Sequence, residues 1–174
     1  DNDFKAQLTN IAGKNPDILL ITDYYEKIAL IAPQARQVGI EATFLGADGW
    51  DGTIVAMDAS SHADIENSYF TNHFSLDDTS EKVKAFVEKY RDEYGEDPTA
   101  FSALGYDAVY MYKQAMETAG SEEYDAVVEA IDSISFEGVT GSFTFDENNN
   151  PVKSATMIRI EGGEYKFDSI VNPD

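Results

Sequence analysis

The chain has 174 residues, of which 43% are hydrophobic and 26% charged, enough for one domain with a core or for two small lobes and too apolar for a disordered tail. Its 33 Asp and Glu against 12 Lys and Arg leave a net charge of -21, so nucleic acid and anionic membrane surfaces are repelled as partners. The absence of cysteine excludes disulfides, a thiolate nucleophile and a Cys-ligated metal, and permits either redox compartment.

No stretch reaches the ~20 apolar residues of a membrane-spanning helix. Asp1 to Lys5 lack the basic-then-apolar order of a signal peptide, a start that suits a mature product, a trimmed chain or part of a longer one.

Asp3 is placed to cap a helix with apolar positions Phe4, Leu8, Ile11 and Ala12, stopped at Gly13. Ile18 to Ile21 is a continuous apolar run of β-favouring residues, which predicts a central strand covered on both faces. Ile28, Ile31, Ala32, Ala35 and Val38 form a helical stripe over residues 26–38, and Thr43 to Gly46 reads as the next strand. Strand, helix and strand within about 30 residues make one βαβ crossover, so the fold class is α/β with a parallel sheet. Ligands of such sheets lie beyond the carboxyl ends of the strands, which directs attention to Thr22–Tyr25 and Ala47–Gly52.

Residues 53–65 carry no clear period, and 68–74 predict a strand before a polar break at 76–80. Asp78 with Glu81 forms a capping signal for a helix marked by Val83, Phe86, Val87, Tyr90 and Tyr94 and ended by Gly95. Asp97-Pro98 is expected to open a helix to about Ala119 that is apolar nearly all round and so needs cover on several sides. Ser121 caps another helix carrying Tyr124, Val127, Val128 and Ile131. Strand periods at 142–145, 155–160 and 165–167 predict a terminal β meander.

The loop Gly46-Ala47-Asp48-Gly49-Trp50-Asp51-Gly52 concentrates two acids, one indole and three glycines after a strand. Asp48 can accept hydrogen bonds from an ammonium group, and Trp50 can wall an apolar ligand or else plug the core. Tyr24, at the tip of the preceding strand, falls beside this loop if the two strands are parallel neighbours; the alternative is a surface tyrosine pair with Tyr25. The spacing is not that of a phosphate cradle. Asp146 to Asn150 begins like a calcium loop, but Pro151 stands at the sixth position and Met157 at the twelfth, so a hairpin turn is expected and no metal is assigned. His62 and His73 have no ligand-pair spacing, and no nucleophile elbow occurs, so no catalytic residue and no cofactor is expected and the chain does not read as an enzyme.

Phe4-Lys5-Ala6-Gln7-Leu8, Asn15-Pro16-Asp17, Tyr24-Tyr25, Gln34-Ala35-Arg36, Phe44 to Trp50, Tyr69 to His73, Ala103 to Ala108, Gly138-Val139-Thr140-Gly141 and Phe145 to Asn148 follow one another in an order that resembles the branched-chain amino-acid-binding proteins of ABC importers, which are type I periplasmic binding proteins. The resemblance covers essentially the whole chain and only the carboxyl half of the family, whose members have two α/β lobes joined by three crossovers. It implies that residues 1–70 belong to the second lobe, 71–138 to helices of the first lobe, and 139–174 to the second lobe again. It also implies that Tyr24 and Asp48 bind the ligand's α-ammonium and that Phe101 lines its side-chain pocket, while the α-carboxylate is held by the first lobe. Trp50 is expected to narrow the mouth, and Asp48 stands where the best-known members carry glutamate, one methylene longer.

The function expected from the resemblance is an extracytoplasmic solute-binding component for branched-chain or related amino acids, which closes like a hinge around a small amino acid or amide-like ligand and delivers it to an ABC permease. Its further partner is the amino-terminal half of such a protein, and without that half self-association is expected. The rival is a ligand-sensing domain of the same fold without a transport role. A third reading, an acidic hydrolase using Asp48 or Asp51, has no local motif behind it.

Overall fold

The computed structural model describes residues 2–173. Its helices are α1 (Lys5–Ala12), α2 (Tyr25–Gln37), α3 (Thr53–Ala56), α4 (Glu81–Tyr94), α5 (Ala100–Ala119) and α6 (Tyr124–Ser133). Its strands are β1 (Ile18–Ile21), β2 (Thr43–Gly46), β3 (Tyr69–Asn72), β4 (Phe136–Gly138), β5 (Gly141–Phe145), β6 (Pro151–Val152), β7 (Ala155–Glu161) and β8 (Glu164–Val171). The chain forms two compact units: one runs to Asn72 and resumes at Thr156–Ser169, the other is His73–Ala155 and resumes at Ile170. The chain therefore passes between units after residues 72, 155 and 169.

In the first unit the sheet order is β1-β2-β3-β7-β8. β1, β2 and β3 are parallel, and β7 runs antiparallel to β3. The crossover helix α2 buries Ile28, Ile31, Ala32 and Ala35, the residues at helical spacing, against Phe44, Trp50, Ile65, Phe70, Ile158 and Ile160. Arg36 crosses this core: its guanidinium lies 3.9 Å over the Phe44 ring and donates to the carbonyls of Ile40, Ala42 and Asp64. Burial pulls its pKa below the ordinary guanidinium value, with Asp64 and Glu41 opposing.

The second unit holds α4, α5, α6 and the small sheet β4-β5-β6. Phe74, Val83, Phe86, Val87, Ala100, Ala103 and Val139 form one core, and Ala115, Val127, Ala130 and Ile134 another between α5 and α6. Asp107, on α5, is the buried polar centre. Its carboxylate accepts from the amides of Val139 (2.8 Å) and Thr140 (2.7 Å) and from the Thr140 hydroxyl (2.8 Å), stapling the β4–β5 turn to the helix. Gly138 is required there, because a Cβ at that position would lie 2.2 Å from Asp107 Oδ2.

Several expectations are corrected. β1 is an edge strand among the described residues: Leu19 and Ile21 face the core, while Ile18 and Leu20 are 61% and 60% exposed, so an unbroken apolar run did not mean cover on both faces. The terminal strands do not form one meander, since β5 and β6 pair in the small sheet while β7 and β8 join the large one. Residues 139–155 accordingly stay with the second unit, and the return expected at 139 occurs after Ala155. Ser80, not Asp78, caps α4, its Oγ accepting from Val83 N–H at 3.3 Å. α5 starts beyond Thr99, and Asp97 pairs with Arg91 instead of capping.

Candidate functional site

Strand register decides what meets at the carboxyl ends of the parallel strands. β1 and β2 align Ile21 with Gly46, so both chains leave the sheet at the same level. After Ile21 the chain turns through Asp23, whose Oδ1 accepts from Tyr24 N–H at 2.8 Å, and Tyr24 becomes the extended residue that starts α2. After Gly46 it tightens into a 3-10 turn over Asp48–Trp50. The two loops touch at Gly49. A Cβ there would lie 3.0 Å from Asp23 O and 3.4 Å from Tyr24 Cα and Cδ1, so any side chain would press the two loops apart by a few tenths of an ångström.

Tyr24 is 62% exposed and Asp48 is half-buried. The arrangement brings Tyr24 and the loop that carries Asp48 together at adjoining strand tips of one unit. A phenol and a carboxylate can accept hydrogen bonds from a cationic nitrogen, the carboxylate supplying the charge-assisted ones.

Trp50 is a correction. Its ring is fully buried, stacks on Phe70 at 6.2 Å and covers Gly46, where a Cβ would lie 2.2 Å from the indole. Its indole N–H donates to Ile21 O at 2.9 Å. The ring thus lies beneath the loop as a plug, because the 3-10 turn aims position 50 at the sheet, and it does not narrow a mouth. Phe101 belongs to the other unit, in the first turn of α5, and is 38% exposed.

Three residues that the sequence reading passed over hold the loop from below. The Tyr165 hydroxyl, from β8, accepts from Gly52 N–H (3.0 Å) and Ile54 N–H (3.2 Å) and donates to Trp50 O (3.3 Å). Thr53 Oγ donates to the same carbonyl at 2.6 Å. Asn72, at the tip of β3, donates to buried Asp51 Oδ2 at 3.3 Å. Burial, reinforced by the Asp51 charge, pushes the Tyr165 phenol up to about 12 against the opposing pull of its backbone donors. No local signal marked Tyr165, since a single tyrosine in an alternating strand looks like any other. Among the described residues no group of three His, Cys, Asp or Glu side chains is arranged to hold a metal ion.

A sequence profile described as "Periplasmic binding protein" matches residues 1–164. The chain belongs to the periplasmic binding protein family. The family is one of binding proteins and not of enzymes, and its α/β fold is the one described above. A leucine-binding protein from Thermotoga maritima superposes with a TM-score of 0.87 at 36% identity, over 99% of this chain and 49% of that one. A branched-chain amino acid substrate-binding protein from Streptococcus pneumoniae, solved in complex with isoleucine, gives 0.84 at 34% identity, over 99% and 49%. By sequence, the leucine-, isoleucine-, valine-, threonine- and alanine-binding protein of Pseudomonas aeruginosa is 26% identical over 151 residues, 86% of this chain and 39% of that protein. The chain thus spans about half the length of the periplasmic binding proteins that it matches.

Proposed function

We propose that this chain is the carboxyl-half portion of an extracytoplasmic solute-binding protein that captures a branched-chain or related amino acid for an ABC permease. The observation that carries the proposal is the packing of Gly49 on Tyr24, which brings the phenol and the Asp48 loop to one rim of the sheet. Asp48 and Tyr24 take the α-ammonium, and Phe101 remains the aromatic residue proposed for the ligand's side chain. Trp50 acts through the loop and not by contact. Similarity to a leucine-binding protein and to a branched-chain amino acid substrate-binding protein solved with isoleucine supports the choice of ligand class.

A ligand gripped by two lobes gains contacts that neither offers alone, so the chain by itself binds weakly and the amino-terminal half is its first partner. The outer face of α5, where Val109 is 69% and Tyr112 48% exposed, supplies apolar surface for that partner.

A thermal-shift screen of the native polypeptide that carries these residues, run against the amino acids, tests the proposal. Leucine, isoleucine or valine at about 100 times Kd raises stability by about 2.7 kcal/mol. A flat response across the panel contradicts the amino-acid assignment.

A further inference from the structure

We propose that Tyr165 is a positioning residue for ligand binding: its hydroxyl locks the segment that carries Asp48, from a strand more than a hundred residues away in sequence. The proposal rests on the binding function proposed above and extends it to a residue that makes no claim on the ligand itself.

A phenolic hydroxyl has one proton to donate and two lone pairs to accept with. In Tyr165 all three capacities go to the backbone between Trp50 and Ile54: one bond to Trp50 O and one from each of Gly52 N–H and Ile54 N–H. The Trp50 carbonyl is saturated in turn, its second lone pair accepting from Thr53 Oγ at 2.6 Å. The Trp50 indole then reaches across to Ile21 O, at the tip of the strand that leads to Tyr24. A single chain of hydrogen bonds therefore runs from β8 through Trp50 to the end of β1, and the two proposed ligand contacts lie two residues before Trp50 and three after Ile21.

Gly52 precedes α3 and Ile54 lies in its first turn, where backbone N–H groups have no acceptor within the helix, and here one side chain supplies it for both. The ring is itself held, edge-on to Phe70 at 5.3 Å, so the hydroxyl is delivered to a fixed point. Gly52 takes a left-handed backbone (φ 102°) at the same place, with the Tyr25 ring 3.3 Å from where its Cβ would stand; glycine reaches this conformation without strain but does not hold it unaided, and the Tyr165 hydroxyl bonds its N–H there. A binding group held loosely by even half an ångström loses much of its advantage, which gives the clasp its consequence for affinity.

Tyr165→Phe keeps the ring and removes only the hydroxyl. In the native polypeptide, the expected result is amide hydrogen exchange at Gly52 and Ile54 faster by about ten-fold or more, with Phe44 and Ile158 unchanged, and L-leucine affinity lower by about ten-fold in calorimetry at a temperature where the protein stays folded. Ile158→Val, a core change costing about 1 kcal/mol, is the comparison: it lowers stability and leaves leucine affinity unchanged. If Tyr165→Phe binds leucine as the parent does, or if exchange rises evenly across the sheet, Tyr165 is a packing residue and the proposal is overturned. If the parent protein does not bind leucine at all, the ligand assignment falls, and the exchange pattern at Gly52 and Ile54 alone decides whether the clasp exists.

Discussion

Gly49 packs tightly against Tyr24, a Cβ in its place standing 3.4 Å from Tyr24 Cα and 3.0 Å from Asp23 O. The obstruction is backbone, which cannot swing aside as a flexible side chain would. Gly49→Ala is expected to part the two loops by a few tenths of an ångström and to weaken ligand binding about ten-fold, or about 1.4 kcal/mol. Calorimetric titration of the variant in the native polypeptide checks this, with circular dichroism to show that the fold persists.

Gly46 makes a harsher demand, because there the clash is with the buried Trp50 ring at 2.2 Å. Gly46→Ala must push the indole off Phe70 and strain the loop, at a cost of about 1–3 kcal/mol. Trp50→Phe relieves the bulk but removes the indole donor to Ile21 O, and is expected to lose a similar amount. Urea denaturation of the two variants measures both, and an unchanged midpoint in either contradicts the packing described.

In the second unit Asp107 gathers three donors into one buried carboxylate. Asp107→Ala leaves the amides of Val139 and Thr140 without acceptors, and a loss of about 3 kcal/mol is expected. The same substitution exposes Lys153, whose ammonium is 3.2 Å from Thr140 Oγ1 and is partly desolvated, to the loss of its nearby negative charge. Hydrogen exchange at Val139 and Thr140, alongside chemical denaturation, distinguishes a local loosening from general instability.

Alkaline stability isolates Tyr165. Its phenol ionises near about 10 in an unfolded chain and is pushed up to about 12 in the fold. A raised folded pKa gives a contribution fully present below about pH 10 and lost as pH climbs through about 12. Between about pH 9 and pH 11.5 the parent protein is expected to lose about 2 kcal/mol more stability than Tyr165→Phe, in which the other tyrosines and the lysines still titrate. Equal losses in the two proteins contradict the burial of the phenol.

Periodicity made the first crossover legible: Ile28, Ile31, Ala32 and Ala35 form the buried stripe of α2, and β1 and β2 lie where their apolar runs stand. Local pattern could not say how strands are shared between sheets, so β5 to β8 looked like one meander although pairing divides them. The apolar run of β1 likewise carries no record of which face has a neighbour. At the candidate site, the adjacency of Tyr24 to the Asp48 loop followed from parallel pairing alone. Whether Trp50 points up or down depended on a 3-10 turn that no spacing encodes. Tyr165 was invisible because its importance comes from a contact 115 residues away in sequence, made with backbone groups that have no sequence identity at all.

The most direct measurement compares L-leucine with 4-methylpentanoate, the same carbon skeleton without the ammonium group, by calorimetry on the native polypeptide and on its Asp48→Asn variant. A site built to hydrogen-bond a cationic nitrogen rejects the deaminated acid by a factor on the order of 10⁴. Neutralising Asp48 is expected to cost leucine about 10- to 100-fold in affinity. If the deaminated acid binds the parent as tightly as leucine does, or if Asp48→Asn binds leucine unchanged, Tyr24 and Asp48 are not an ammonium site.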